Sequence, residues 1–107
     1  MNDQAFISHI IEASEKISRY LDHISLEQFT TDEMRLDAVI REIEIIGEAS
    51  SNLSEDFQQK HPDLPWQDMK SMRNKLAHEY FGVDEKIVWD TASVDVPKLV
   101  EKLRGYN

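Results

Sequence analysis

The chain has 107 residues and no cysteine, which excludes disulfide bonds and thiolate metal sites. Its net charge of −9 argues against a broad nucleic-acid-binding surface, where clustered Lys and Arg are expected, but leaves room for a small local basic site. The N-terminus has no signal-peptide pattern and no apolar run approaches the roughly 20 residues of a membrane span, so we expect a cytoplasmic protein with no membrane partner.

The first predicted helix covers about residues 3–23. Apolar side chains recur there at spacings of three and four, the pattern of a helix with one core-facing side. They are Phe6, Ile10, Ala13, Ile17, Leu21 and Ile24, with Ile7, Ile11 and Tyr20 beside them. Ser25 and Gln28 then form a capping-box pattern, which predicts a short turn of helix.

The second predicted helix covers about residues 31–52, with Thr30 and Glu33 as a second capping-box pattern at its start. Its apolar positions span more than the usual arc and predict contact with two neighbours, one of them a second subunit. They are Leu36, Val39, Ile40, Ile43, Ile45, Ile46, Ala49 and Leu53. Gly47 lies inside this helix at a cost of about 1 kcal/mol relative to Ala, which close approach of another helix would offset.

Residues 53–65 form the main irregular stretch, with Ser54 marking the start of a short helix. Pro65 suits the first position of a third helix over about residues 65–80, and Gly82 suits its C-terminal cap. The apolar side of this helix consists of Trp66, Met69, Met72, Leu76, Ala77 and Tyr80.

The fourth predicted helix begins near Asp84, whose carboxylate can accept hydrogen bonds from the free amides of the first turn. Pro97 has no backbone N–H and therefore predicts a kink or break inside this helix. The core side consists of Ile87, Val88, Thr91, Val94, Leu99, Val100 and Leu103. The elements together predict an all-α fold, an up-and-down bundle of four main helices plus one or two short helices, in one domain over residues 1–107.

The residues with chemical potential concentrate in the third helix, where Arg73, His78 and Tyr80 lie within eight residues. Arg presents a planar fork of donors that matches phosphate oxygens, and His exchanges protons near neutral pH. Such a pair can cleave RNA without a metal. His78 would deprotonate the ribose 2′-hydroxyl or protonate the leaving oxygen, and Arg73 would stabilise the charge that develops at the phosphate.

The spacing of the pair limits how one subunit can build this site. Residues five apart lie about 140° apart around a helix, so Arg73 and His78 do not share a face, whereas Asn74 and His78 do. Either the long Arg73 side chain reaches round, or the helix deforms, or two subunits complete the site across a two-fold axis. We favour the last alternative, a homodimer with two copies of each residue around one groove.

Simpler interpretations exist for the same residues. On spacing alone, an Arg and a His five apart on a polar helix face are usually solvated, and a lone Tyr80 is usually a core aromatic. Glu44 and Glu48 are four residues apart on the second helix, and three interpretations stay open for them. They are paired carboxylates, a solvated edge of the helix, or partners for Arg73. Three histidines have no metal-ligand spacing and are interpreted as surface residues, namely His9, His23 and His61. We predict no metal site and no cofactor.

The pattern R-x4-H-x-Y made by Arg73, His78 and Tyr80 resembles the signature of the HEPN superfamily, in particular its HepT-like branch. The similarity extends along nearly the whole chain. Residues 37–49 resemble the second helix of that branch, and three flanking segments also match its pattern, namely Pro65-Trp66, Phe81-Gly82-Val83-Asp84 and Ile87-Val88-Trp89.

The resemblance implies an all-helical, usually dimeric protein whose motif helices meet at a cleft, and a metal-independent endoribonuclease. HepT-like members are typically toxins paired with a minimal nucleotidyltransferase (MNT) antitoxin, which can transfer AMP to the motif tyrosine. Carried over, Arg73 and His78 are the catalytic pair, Asn74 is a supporting polar residue, and Tyr80 is the AMPylation site.

The acidic net charge sets a condition on this interpretation. If RNA is the substrate, the basic groups must concentrate at the cleft, and the candidates are Lys70, Arg73, Lys75 and Arg41. The alternative is a non-catalytic helical module that binds and assists a nucleotidyltransferase, which the acidic composition fits slightly better. Toxicity of the chain expressed alone would discriminate between the two.

Overall fold

The computed structural model describes residues 2–67, 69–71, 74 and 84–106, and these ranges contain helices and no strands. The first four helices are α1 (Asp3–Leu21), α2 (Leu26–Thr30), α3 (Glu33–Asn52) and α4 (Glu55–Lys60). The C-terminal part consists of α5 (Glu85–Asp90), a π-helical turn (Thr91–Asp95), α6 (Val96–Leu103) and a 3-10 turn (Arg104–Tyr106). The predicted all-α, HEPN-like bundle is confirmed.

α1 and α3 pack side by side in opposite directions at the centre of the fold. At one end, the amide and the hydroxyl of Ser54 each donate a hydrogen bond of 2.7 Å to the Asp3 carboxylate. At the other end, the Arg35 guanidinium donates to the Tyr20 carbonyl. Burying a large aliphatic side chain contributes about 1.5–3 kcal/mol, so the apolar faces dominate this packing. Their buried members are Ile7, Ile10, Ile11, Ala13, Ile17, Val39, Ile40, Ile43, Ile46 and Ala49.

The helix starts agree with the predicted caps except at α3. The reciprocal Ser25–Gln28 capping box is present at α2, and Asp84 caps α5. The predicted Thr30–Glu33 box is wrong, because Thr30 ends α2 and its hydroxyl donates to a carbonyl of that helix. The Asp32 side chain caps α3 instead, accepting a hydrogen bond from the backbone N–H three residues later.

The end of α1 comes two residues earlier than predicted. The helix stops at Leu21, and His23 adopts a φ of 60°, which is outside the right-handed helical region.

Of the kink or break predicted at Pro97, the break is wrong, because the chain stays helical from α5 into α6, and the kink stays a prediction. A π-helical turn precedes the proline, and the Val96 amide donates to the Thr91 carbonyl five residues back. The wider turn holds one extra residue, which makes room for the proline ring without ending the helix.

Two residues of the predicted core are not buried. Val94 and Ile87 were expected inside, yet they are 45% and 39% exposed. Ala92 and Val96 are buried instead. Ala92 lies one regular turn after Val88, and the extra residue of the wide turn brings Val96 into line with Val88 as well. The positions 88, 91, 99, 100 and 103 are buried as predicted.

The third predicted helix begins where expected. Residues 66, 67, 69–71 and 74 are helical, with Met69 buried and Trp66 half-buried. The rest of this helix to residue 80, its core positions from Met72 onward and the Gly82 cap lie outside the described residues. None of the helices within the described ranges is long and apolar enough to cross a membrane.

Candidate functional site

The segment that leads into the third helix, here called the motif helix, is held by aromatic packing. The Trp66 indole Nε1 donates a hydrogen bond of 2.8 Å to the His61 carbonyl. The Phe57 ring lies 4.5 Å from the His61 ring and 6.1 Å from the Trp66 ring, measured between centroids. His61 is therefore half-buried and not the surface residue that the sequence suggested. These contacts define where the motif helix begins.

Lys102 on α6 ties the same segment to the C-terminal helix. Its Nζ lies 3.2 Å from the Asp63 carboxylate and donates to the Asp63 carbonyl at 3.1 Å. The hydrogen bond from Lys102 holds the pKa of Asp63 below its usual value. Both groups are largely exposed, so we assign the ion pair an orienting role and little stability.

A cavity of about 520 Å³ lies between this segment and α6. The described residues that line it are Asp63, Pro65, Asp95, Lys98, Glu101 and Lys102. The volume suits a small molecule. Three carboxylates and two lysines line it, so these residues give the cavity no excess of positive charge that would attract phosphate.

Of the four predicted site residues, the structure describes Asn74, which is helical and exposed, and its supporting role stays a prediction. Arg73, His78 and Tyr80 lie outside the described residues, and their roles stay predictions. Two of the four basic groups proposed for the cleft are described, and both are exposed, namely Arg41 on α3 and Lys70 on the motif helix.

The two carboxylates singled out on α3 differ in environment. Glu44 is half-buried, whereas Glu48 is exposed beside α1. Their pairing with Arg73 stays a prediction. Within the described part of the chain, no group of three or more His, Asp or Glu side chains is placed to hold a metal ion.

Two adjoining cavities run along the side of the α1–α3 pair and together form what we call the α1/α3 groove. One, of about 220 Å³, is lined by Phe6, His9, Ile45, Glu48, Ala49 and Asn52. The other, of about 190 Å³, is lined by His9, Glu12, Ala13, Lys16, Glu42 and Ile45. Because His9 and Ile45 line both, the cavities are parts of one continuous surface.

Glu42 is the residue that sequence reasoning missed in this groove. It is only 6% exposed, and its Oε1 atom is buried with no hydrogen-bond partner among the described residues. The signal was present in the sequence, because Glu42 is three residues after Val39 and four before Ile46, both of which face the core. A carboxylate at such a position indicates either a hidden partner or a binding role.

Comparison with known proteins covers nearly all of the chain. Residues 10–105 match the model of the family described as "Ribonuclease HepT-like". A protein of Thermococcus cleftensis named "Probable ribonuclease HepT" is 46% identical over 92% of this chain and 93% of its own length. A protein of Caldanaerobacter subterraneus subsp. tengcongensis named "Putative RNase TTE0752" is 38% identical over 92% of this chain and 88% of its own length. No solved structure gave a significant match.

Proposed function

The chain belongs to the HepT-like ribonuclease family, and from this premise we propose that it is an RNA-cleaving toxin neutralised by a partner nucleotidyltransferase. The observation that carries the proposal is the family match over residues 10–105, which contains the complete pattern of Arg73, His78 and Tyr80. Relatives that are named as ribonucleases align with 92% of the chain, which supports the same activity.

The proposed reaction is an intramolecular transesterification that needs no metal. The ribose 2′-oxygen attacks the neighbouring phosphorus and the bond to the 5′-oxygen of the next nucleotide breaks. The products are a 2′,3′-cyclic phosphate and a free 5′-hydroxyl. His78 accepts the 2′-hydroxyl proton or donates one to the leaving oxygen, and Arg73 stabilises the additional negative charge. The exposed Asn74 orients the substrate beside them.

We propose that the site is completed in a homodimer. Helical geometry separates Arg73 and His78 by about 140°, and a two-fold axis would bring the Arg73 of one subunit toward the His78 of its partner. Mixing the Arg73→Ala and His78→Ala proteins tests this directly. If the site is shared, mixed dimers regain part of the activity. If each subunit holds a whole site, no mixture is active.

The experiment that tests the catalytic pair compares these two variants with matched controls. We expect Arg73→Ala and His78→Ala each to lower RNA cleavage by about 10²–10⁴-fold, because each removes a group that acts in the transition state. Arg19→Ala and His23→Ala make the same replacements at exposed positions far from the motif in the sequence. Cleavage should persist with EDTA. Full activity of either motif variant would disprove the assignment.

We propose that Tyr80 is where the activity is switched off. A partner MNT-type nucleotidyltransferase would transfer AMP from ATP to the phenolic oxygen, with release of pyrophosphate, and the added group would obstruct the neighbouring site. Mass spectrometry after incubation with the partner and ATP should find one AMP group on this chain and none on Tyr80→Phe. AMP on the Phe variant would place the modification elsewhere.

The second candidate function is a non-catalytic module that binds a nucleotidyltransferase. The net charge of −9 and the carboxylates of the α1/α3 groove favour it over RNA binding. Expression of the chain alone separates the candidates. Growth arrest that the Arg73→Ala variant abolishes supports the toxin, and harmless expression with an inert purified protein supports the module.

A further inference from the structure

Glu42 presents an electrostatic problem at the α1/α3 groove. Burying a carboxylate costs free energy unless a hydrogen-bonded or positively charged partner compensates. Lys16 lines the same cavity, yet the described residues contain no ion pair between Lys16 and Glu42. The Oε1 atom has no partner within the described chain either. Among the described residues Glu42 thus has no compensating partner, and a group that enters the groove would supply one.

We propose that the α1/α3 groove is the docking site for a helix of a partner protein, and that an Arg or Lys of this helix inserts beside Glu42. Arg fits best, because its planar fork can donate to both carboxylate oxygens and tolerates burial better than an ammonium group. Glu12 and Glu48 at the rim add to the negative potential that would attract a basic helix. The proposal does not rest on ribonuclease activity.

The shape of the groove favours a helix as its occupant. It runs between α1 and α3 from Phe6 and Asn52 at one end to Lys16 and Glu42 at the other. Ten residues of helix rise about 15 Å, which is roughly three turns. Two antiparallel helices leave a channel into which the side-chain ridge of a third can pack. Between the polar rims lie apolar side chains that would receive this ridge, namely Ala13, Ile45 and Ala49.

Other occupants fit the groove less well. RNA phosphates would be repelled by Glu12, Glu42 and Glu48. A second copy of this chain, joined groove to groove about a two-fold axis, would place the same carboxylates opposite one another. A metal ion lacks ligands, because the described residues hold no suitable group of three. A basic amphipathic helix supplies both the positive charge that the groove lacks and apolar side chains that can pack on Ala13, Ile45 and Ala49.

The test first selects helical peptides that bind the full-length chain. It then measures whether their binding depends on an ion pair between Glu42 and a basic residue of the peptide. A display library of amphipathic helices, randomised along one face, is selected on the immobilised protein. We expect the selected peptides to share an Arg or Lys at one position. Glu42→Gln should weaken their binding at least tenfold. Replacing the shared Arg with citrulline should weaken binding to the parent chain but have little further effect on Glu42→Gln.

Two controls keep the result specific. Glu101→Gln makes the same charge change at an exposed position on α6 and should leave binding unchanged. Peptide binding should shift the amide NMR signals of His9 and Ile45, and Ile45→Arg should abolish binding by filling the groove. Circular dichroism confirms that each variant folds.

Several results would overturn the proposal. Selected peptides without a shared basic residue, equal binding by Glu42→Gln, or NMR shifts remote from the groove each contradict it. An RNA oligonucleotide that shifts the His9 and Ile45 signals would assign the groove to nucleic acid. Concentration-dependent shifts of the same signals in the chain alone, with dimerisation in sedimentation experiments, would assign it to a second copy.

Discussion

Replacing Glu42 with Met should make the isolated chain more stable. Glu42 is 6% exposed and lies among core residues such as Val39 and Ile46, which are fully buried. An unsatisfied buried polar group costs about 1–3 kcal/mol, and a charged group costs more. Met has a similar shape and fills the same space without a polar atom. We therefore expect the free energy of unfolding to rise by about 1–3 kcal/mol.

Denaturant titration followed by far-UV circular dichroism measures this change. The midpoint should rise at an unchanged slope, because the variant buries about the same surface. For a chain of this size, 1 kcal/mol corresponds to roughly 4–8 °C in melting temperature, so the shift should be easily resolved. Glu101→Met, at an exposed position, should stay within about 0.5 kcal/mol of the parent.

A Glu42→Met protein that is no more stable than the parent would refute this reasoning. It would mean that Glu42 already has a compensating interaction within the folded chain. In that case the carboxylate would have no need of an external partner, and the docking proposal would lose its physical basis. A more stable protein that no longer binds the selected peptides is the combination that the proposal requires.

Three further predictions concern the scaffold. Phe29→Ala removes a fully buried ring and should lower the free energy of unfolding by about 3–5 kcal/mol in denaturant titration. Asp32→Ala removes the cap of α3 and should lower the free energy of unfolding by about 1 kcal/mol, whereas Thr30→Ala should lower it by less than half of that. A larger effect of Thr30→Ala would mean that Thr30 is the cap, as the sequence predicted. The pKa of Asp3 is lowered by hydrogen bonds from the amide and hydroxyl of Ser54, so its contribution is present above pH 3.8 and is lost as the pH falls through the lower folded pKa. In Asp3→Asn the free energy of unfolding should therefore fall less steeply as the pH drops below 3.8. If denaturant titrations show the same fall in the variant and the parent, the prediction is wrong.

Local signals predicted most of the scaffold. The three- and four-residue spacing in α1 and α3 identified both helices, because each buries one continuous stripe against the other. Ser25 and Asp84 were recognisable as caps because a cap depends on side chains only two or three residues away. Thr30 misled for the same reason: Asp32, two residues later, is also a good N-cap residue, and its carboxylate accepts the hydrogen bond from the Arg35 amide that begins α3.

The sequence did not predict features that depend on more than one element. The wide turn before Pro97 arises because the helix must accommodate the ring and still bury Val96, and periodicity alone assumes a regular α-helix. The α1/α3 groove depends on the register of two helices, which residues such as Asp3 and Ser54 set from 51 positions apart. The motif is predicted from its pattern and flanks, and of its members the structure describes only Asn74, which is helical and exposed.

The π-helical turn also sets the angle at which the C-terminal helix meets the rest of the protein. Straightening Thr91–Asp95 into a regular α-helix while keeping all five residues would turn everything after it by about 100°. Leu99 and Leu103 would leave the core, and Lys102 would swing away from Asp63. The segment at the base of the motif helix would then lose its tether. The one extra residue of the π-helical turn therefore sets the rotation of α6 about its axis. That rotation lets Lys102 contact Asp63, just before the start of the motif helix.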